Sequence, residues 1–294
     1  MNADAGIAVG IYEKAFPLAM AWRERLAVAA RAGFDFLEIS IDETDERLGR
    51  LNWDRAERTR LCSTAAEAGI AITTMCLSAH RKYPMGSRSD HIRRKGLELM
   101  ARAVTFARTT GVRIVLVPGY DVFYEPSSET TRANFMKGLE YGVKLASMAG
   151  VVLALENTDH SITSVKQTMT YVSHFNSPWL QLYCDIGNLN AFGHDVLDEL
   201  EAGRGHIAGV HVKDTLPGKF RGVAFGGGTV PFVPAFRKLW EIGFRGPIML
   251  EMGMDETRDT LTAVSQAREW IQERIDLSLL PETTGAAGEQ ERTG

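Results

Sequence analysis

The strongest constraint on this chain is a repeated alternation. Short apolar runs are followed by longer segments of helical period, and the pattern recurs along almost the whole sequence. The apolar runs are Ile7–Tyr12, Phe36–Ile41, Ile70–Ser78, Arg113–Val117, Val151–Glu156, Leu180–Asp185, Ile207–Lys213 and Ile248–Glu251. Helical segments follow at Pro17–Ala32, Asp54–Ala68, Ser89–Thr110, Ser128–Ala149, Ser164–Phe175, Asp195–Ala202, Val233–Ile242 and Thr257–Ile275. Several of these end on a glycine, as at Gly33, Gly69, Gly111 and Gly150, the usual stop for a helix. Strand–helix alternation implies parallel strands joined by right-handed crossovers. At roughly 30 residues per unit, eight units favour a closed (β/α)8 TIM barrel over an open doubly wound sheet. No Gly-x-Gly-x-x-Gly follows the first run, which weakens a dinucleotide-binding reading.

Composition narrows the class. The 294 residues are 45% hydrophobic and 24% charged, which suits one large α/β domain, expected over residues 1–280. Residues 281–294 are rich in Gly, Glu and Thr and read as a disordered tail. A net charge of −4 gives no electrostatic reason to expect nucleic acid. No apolar run approaches the ~18 residues needed to cross a bilayer, and the N-terminal residues lack signal-peptide character. Cys62, Cys76 and Cys184 are odd in number and far apart, so they suggest a reducing compartment. Together these features point to the cytoplasm.

In such barrels the active site lies at the C-terminal ends of the strands. Four consecutive runs deliver metal-capable groups to that rim: Glu156, Asp185, His211 and Glu251. Three carboxylates and an imidazole suit one divalent cation, Mn²⁺, Zn²⁺, Co²⁺ or Mg²⁺, with room for substrate oxygens. Strand alternation turns Lys213 to the side of His211, and it turns Cys184 away from the site. His80, Arg81 and Asn188 at neighbouring strand ends are candidates for substrate contacts. Lys213, Lys219, Arg221 and the backbone around Gly227 are candidates for an anion. Glu38, inside the second run, reads equally as an inward polar residue or an outward ion-pair partner. His91, His160, His174, His194 and His206 read as structural or exposed.

Taken together, Glu156, Asp185-Ile186-Gly187-Asn188, His211-Val212-Lys213-Asp214 and Glu251 resemble the xylose-isomerase-like barrel superfamily. The resemblance is closer to the L-ribulose-5-phosphate 3-epimerases, also called L-xylulose-5-phosphate 3-epimerases, of the L-ascorbate utilisation type. Gly10-Ile11-Tyr12-Glu13-Lys14-Ala15, Ile41-Asp42-Glu43-Thr44-Asp45, Met75–Arg81, Gly119–Val122, Trp179–Tyr183 and His211–Thr215 carry it. It covers about residues 6–275.

The resemblance implies a ketopentose-5-phosphate substrate and epimerisation at C3. It implies Glu156, Asp185, His211 and Glu251 as metal ligands, and Glu156 and Glu251 as acid–base catalysts. It also implies a homodimer. One departure is visible: where relatives often read Gly-Glu-Gly, this chain reads Gly226-Gly227-Gly228. The rivals are an aldose–ketose isomerase of the same superfamily, such as a hydroxypyruvate or hexulose-phosphate isomerase, and a non-catalytic sugar-phosphate binding module. An endonuclease IV-like repair enzyme would need more histidine ligands and a basic face.

Overall fold

Each apolar run forms a strand, and the strands close on themselves. The computed structural model describes residues 7–254 and 258–281. The strands are β1 (Val9–Tyr12), β2 (Phe36–Ser40), β3 (Ala71–Cys76), β4 (Ile114–Pro118), β5 (Val152–Glu156), β6 (Leu180–Asp185), β7 (Ile207–Val212) and β8 (Ile248–Leu250). Neighbours pair in parallel in chain order, and β8 returns to β1, so the sheet is a closed barrel. The helices are α1 (Trp22–Arg31), α2 (Asp45–Gly49), α3 (Arg55–Ala68), α4 (Asp90–Thr110), α5 (Glu129–Ala149), α6 (Val165–Phe175), α7 (Ile186–Phe192), α8 (Val196–Ala202), α9 (Phe232–Glu241) and α10 (Thr260–Leu279). The expected tail lies outside the described residues from 282 onward.

Strand alternation sorts side chains into two cores. Leu37, Ile39, Leu153, Leu155, Leu182, Cys184, Val210, Val212, Ile248 and Leu250 belong to the large core that includes residues of the surrounding helices. Tyr12, Phe36, Cys76, Leu116, Ala154, Tyr183 and Met249 form a separate cluster of opposite parity. Continuing that inner parity toward the C-terminal ends gives Glu156 after Ala154, Asp185 after Tyr183 and Glu251 after Met249. The barrel thus turns a period of two into a ring of ionisable groups at one rim.

The helix boundaries follow capping chemistry. Asp54 and Glu57 form a reciprocal capping box at the start of α3. Ser89 caps α4 through the Ile92 N–H, and Gly111 ends it at φ 83°, a left-handed conformation that favours glycine.

Three boundaries differ from expectation. The first helix starts at Trp22 rather than Pro17, because Arg25 Nη2 donates to the carbonyls of Pro17, Leu18 and Met20 and holds them in a turn. The last helix starts at Thr260, where Asp259 accepts from the Thr262 N–H, and it runs on to Leu279. The short α2 and α7 have no counterpart in the eight expected helices. α7 is only 7 residues long and includes Gly187, too little for a helical period to register.

A buried ion cluster anchors the β1–β2 corner. Glu13 is fully buried. Its Oε1 accepts from Arg25 Nη1 at 2.9 Å and Arg47 Nε at 3.3 Å. Its Oε2 accepts from Arg50 Nη1 at 2.6 Å and the Ser40 N–H at 2.7 Å. Trp22 stacks under the guanidinium groups of Arg25 and Arg50 at 4.7 and 5.0 Å.

Candidate active site

The four strand-end residues converge. Donor atoms of Glu156, Asp185, His211 and Glu251 all lie within 4.8 Å of one another. Glu156, Asp185 and His211 are buried, and Glu251 is partly open to the cavity. The local backbone explains the convergence. Asp185 pairs with His211 across β6 and β7. Glu251 extends the β7–β8 pairing, since its N–H donates to the Val212 carbonyl at 2.9 Å. Asn157 ties the ends of β5 and β6 together: its Oδ1 accepts the Asp185 N–H and its Nδ2 donates to the Asp185 carbonyl, each at 2.9 Å.

Charge compensation inside the quartet is incomplete. Lys213 is the nearest cation, with Nζ 2.7 Å from Asp185 Oδ2 and 2.8 Å from Glu251 Oε2. One ammonium thus serves two carboxylates at once. His211 Nδ1 lies 2.9 Å from Glu156 Oε1 and 3.8 Å from Glu251 Oε2. A cluster of three carboxylates, two of them buried, around one imidazole is costly unless a further cation balances it. The donor set, the close spacing and the excess of carboxylates over cations therefore fit a divalent metal.

The two glutamates experience opposite fields. Burial pushes Glu156 up to about 7, against the pull of His211. Burial acts the same way on Glu251, but Lys213 and His211 outweigh it and hold the carboxyl at about 2. Burial raises Asp185 as well, with Lys213 opposing. Burial works against charge on His211, yet Glu38 and Glu156 overcome it and raise its pKa well above the ordinary value. Lys213 behaves likewise, raised by Asp185 and Glu251 in spite of burial.

Glu156, His211 and Glu251 line one wall of a cavity of about 890 Å³ at the C-terminal mouth of the barrel, with Asp185 fully buried behind them. Its volume is that of a small-molecule site.

Comparison with known proteins agrees with this geometry. Residues 26–274 match the family model described as the xylose isomerase-like TIM barrel. The L-ribulose-5-phosphate 3-epimerase UlaE of Escherichia coli (strain K12) is 46% identical over 270 residues, covering 92% of this chain and 95% of the relative. The chain belongs to the L-ribulose-5-phosphate 3-epimerases, within the xylose isomerase-like barrels. The UlaE of Salmonella heidelberg (strain SL476) matches at the same 46% over the same 270 residues. Among solved structures, an L-ribulose 3-epimerase superposes with a TM-score of 0.78 at 21% identity, covering 92% of this chain and 95% of that one. A D-allulose 3-epimerase from Methylomonas sp. in complex with D-allulose gives 0.74 at 20% identity, with coverage of 91% and 97%. At these identities the two solved structures establish the shared fold alone.

Of the other residues singled out from this epimerase sequence, Lys213, Asn188 and Arg81 line the cavity. Asn188 Nδ2 donates to the Asn157 carbonyl at 3.0 Å, and its Oδ1 is buried without a partner. The Arg81 guanidinium stacks on Phe123 at 4.8 Å.

His80 and Gly227 are absent from the cavity lining. His80 is buried against α4, where Nε2 bonds the Gly96 carbonyl at 3.1 Å. Burial pushes its pKa down to about 4, so the ring is neutral at pH 7 and Nε2–H is the donor. The Gly227 N–H serves a local turn, donating to the Ala224 carbonyl at 2.9 Å. The flanking amides of Gly226 and Gly228 both donate to Asp214 Oδ2 at 2.9 Å. The chain's own carboxylate thus occupies the amide nest expected for an anion, and an added Cβ at Gly228 would lie 2.1 Å from Asp214 Oδ1.

Two groups beyond the expected set belong to the site. Lys14 and Tyr120 line the cavity, and the Tyr120 hydroxyl is buried with no partner. The signal for both was position alone: each lies just beyond a strand end in the sequence.

Proposed function

We propose that this chain catalyses metal-dependent epimerisation at C3 of a ketopentose 5-phosphate, interconverting L-ribulose 5-phosphate and L-xylulose 5-phosphate. The observation that carries the reading is the pairing of two carboxylates, buried Glu156 and part-buried Glu251, at the ends of different strands around one candidate cation site. The 46% identity to UlaE over nearly the whole chain supports the substrate class.

C3 epimerisation removes the proton α to the C2 carbonyl and returns one to the opposite face. Glu156, Asp185, His211 and Glu251 would hold the metal. A divalent cation bound there supplies Lewis-acid stabilisation of negative charge developing on the substrate's O2 and O3. Glu156 and Glu251 perform the proton transfers, one abstracting while the other donates, and they exchange roles with reaction direction. Lys213 directs its ammonium toward Asp185 and Glu251 and offers a donor to substrate oxygen. Asn188 offers its unpartnered Oδ1 to a substrate hydroxyl. Arg81 lines the cavity and is a candidate for the phosphate, while Lys14 and Arg221, which also line it, are paired with Asp42 at 3.0 Å and Asp159 at 2.7 Å. The β7–α9 glycines do not take that role, because Asp214 already uses their amides.

The family resemblance also supports a homodimer in the cytoplasm, and sedimentation of the purified chain tests the oligomer. Among the described residues, no helix is long and apolar enough to cross a membrane. Product analysis tests the reaction. L-ribulose 5-phosphate incubated with the metal-loaded chain is expected to yield L-xylulose 5-phosphate. Appearance of an aldopentose 5-phosphate instead would make the chain an isomerase. No conversion of any sugar phosphate would leave it a binding protein.

A further inference from the structure

Glu38 is a carboxylate in the wrong place for a scaffold residue. It is fully buried, in the middle of β2, and it shares the inward parity of Phe36. Its Oε1 lies 2.9 Å from His211 Nε2, and its Oε2 accepts from Tyr183 Oη at 3.2 Å. β2 and β7 are far apart in the barrel order, so this contact crosses the barrel interior. The Tyr183 ring also packs edge-on against the His211 ring, with centroids 4.7 Å apart. The opposite nitrogen, Nδ1, faces Glu156 and Glu251. Imidazole therefore separates Glu38 from the quartet, and Glu38 is not itself among the converging donors.

We propose that Glu38, backed by Tyr183, is a positioning residue: it accepts the Nε2–H of His211 and thereby presents Nδ1 to the metal. A histidine offers one lone pair only when its other nitrogen carries the proton, and a carboxylate on Nε2 selects that tautomer and fixes the ring plane. The same contact increases the donor strength of Nδ1. A buried carboxylate with one histidine and one tyrosine as its partners is expensive as a packing device and reasonable as an orienting one. The inference rests on the metal reading of the quartet, and it adds a residue outside the four ligands.

The test is Mn²⁺ binding to the metal-stripped full chain, followed by calorimetry. Glu38→Gln keeps the shape and removes the charge. Its Mn²⁺ dissociation constant is expected to weaken by about 10- to 100-fold, and the visible d–d bands of the Co²⁺-loaded chain are expected to shift. Wild-type affinity within twofold, together with unchanged Co²⁺ bands, overturns the proposal, because a merely structural carboxylate would leave both untouched. Should Glu38→Gln not fold, Tyr183→Phe removes only the hydroxyl that orients Glu38. A several-fold loss of Mn²⁺ affinity then supports the proposal, and unchanged affinity overturns it. The binding is read without substrate. A wild-type chain that binds Mn²⁺ but converts no ketopentose phosphate would therefore overturn the functional reading alone.

Discussion

Two buried charge clusters lie in different parts of this barrel, one at the β1–β2 corner and one at the ends of β5 to β8, and they are built on opposite principles. Around Glu13, cations are in excess: Arg25, Arg47 and Arg50 converge on one carboxylate, and each of its oxygens meets two donors. Around Glu156, carboxylates are in excess: three of them, with Glu38 behind, share Lys213 and His211. In the first cluster both carboxylate oxygens are saturated. The second has more carboxylates than cations and an open cavity beside it. Buried charge marks both, but only the unbalanced cluster has an unmet need for a cation. Saturation therefore separates scaffold from site better than burial does.

The comparison predicts different losses in the two places. In the unbalanced cluster, Glu156→Gln or Glu251→Gln should lower kcat by about 10²–10⁴-fold, because each removes one of two proton-transfer groups. Steady-state kinetics at saturating metal reads this, and near-normal turnover by either variant contradicts the two-base scheme. In the Glu13 cluster, Glu13→Gln removes the charge shared by three buried guanidinium groups. It should cost about 3–5 kcal/mol in urea unfolding while leaving Mn²⁺ affinity unchanged. A loss of metal affinity without a loss of stability would break the distinction drawn here.

A smaller effect comes from His80, which belongs to neither cluster. Its folded pKa, about 4, lies below the roughly 6.5 of an unfolded histidine. The unfolded chain therefore binds the extra proton first. The contribution of neutral His80 is full above pH 6.5 and is lost as pH falls from there toward 4, up to about 3 kcal/mol. His80→Gln should flatten the wild-type decline in unfolding free energy over that window. Parallel curves for the two proteins would contradict the assignment of a neutral, buried ring.

These contrasts also show what the linear sequence makes visible. Strand parity and capping residues make the barrel and the quartet legible, because Glu156, Asp185 and Glu251 each end an apolar run and His211 stands near the end of another. Glu38 was ambiguous for a physical reason: Phe36–Ser40 is buried on both faces, so alternation in this one strand does not say which side is the barrel interior. His80 and Gly227 stand where site residues are expected, but long-range contacts decide their use. Gly96 on α4 takes the His80 ring, and Asp214 takes the amides beside Gly227. The Glu13 cluster escaped notice because its arginines come from α1, α2 and the turn after α2, with no spacing that links them.

The central claim is that the unbalanced cluster holds a cation and moves a proton at C3. Its most direct test is NMR of L-xylulose 5-phosphate in D₂O with the metal-stripped chain, before and after Mn²⁺ is added and then removed by chelation. The account predicts no exchange without metal, deuterium at C3 with appearance of the L-ribulose epimer once metal is present, and loss of both on removing the metal again. Metal-independent exchange, or deuterium at C1 with an aldose product, would contradict it.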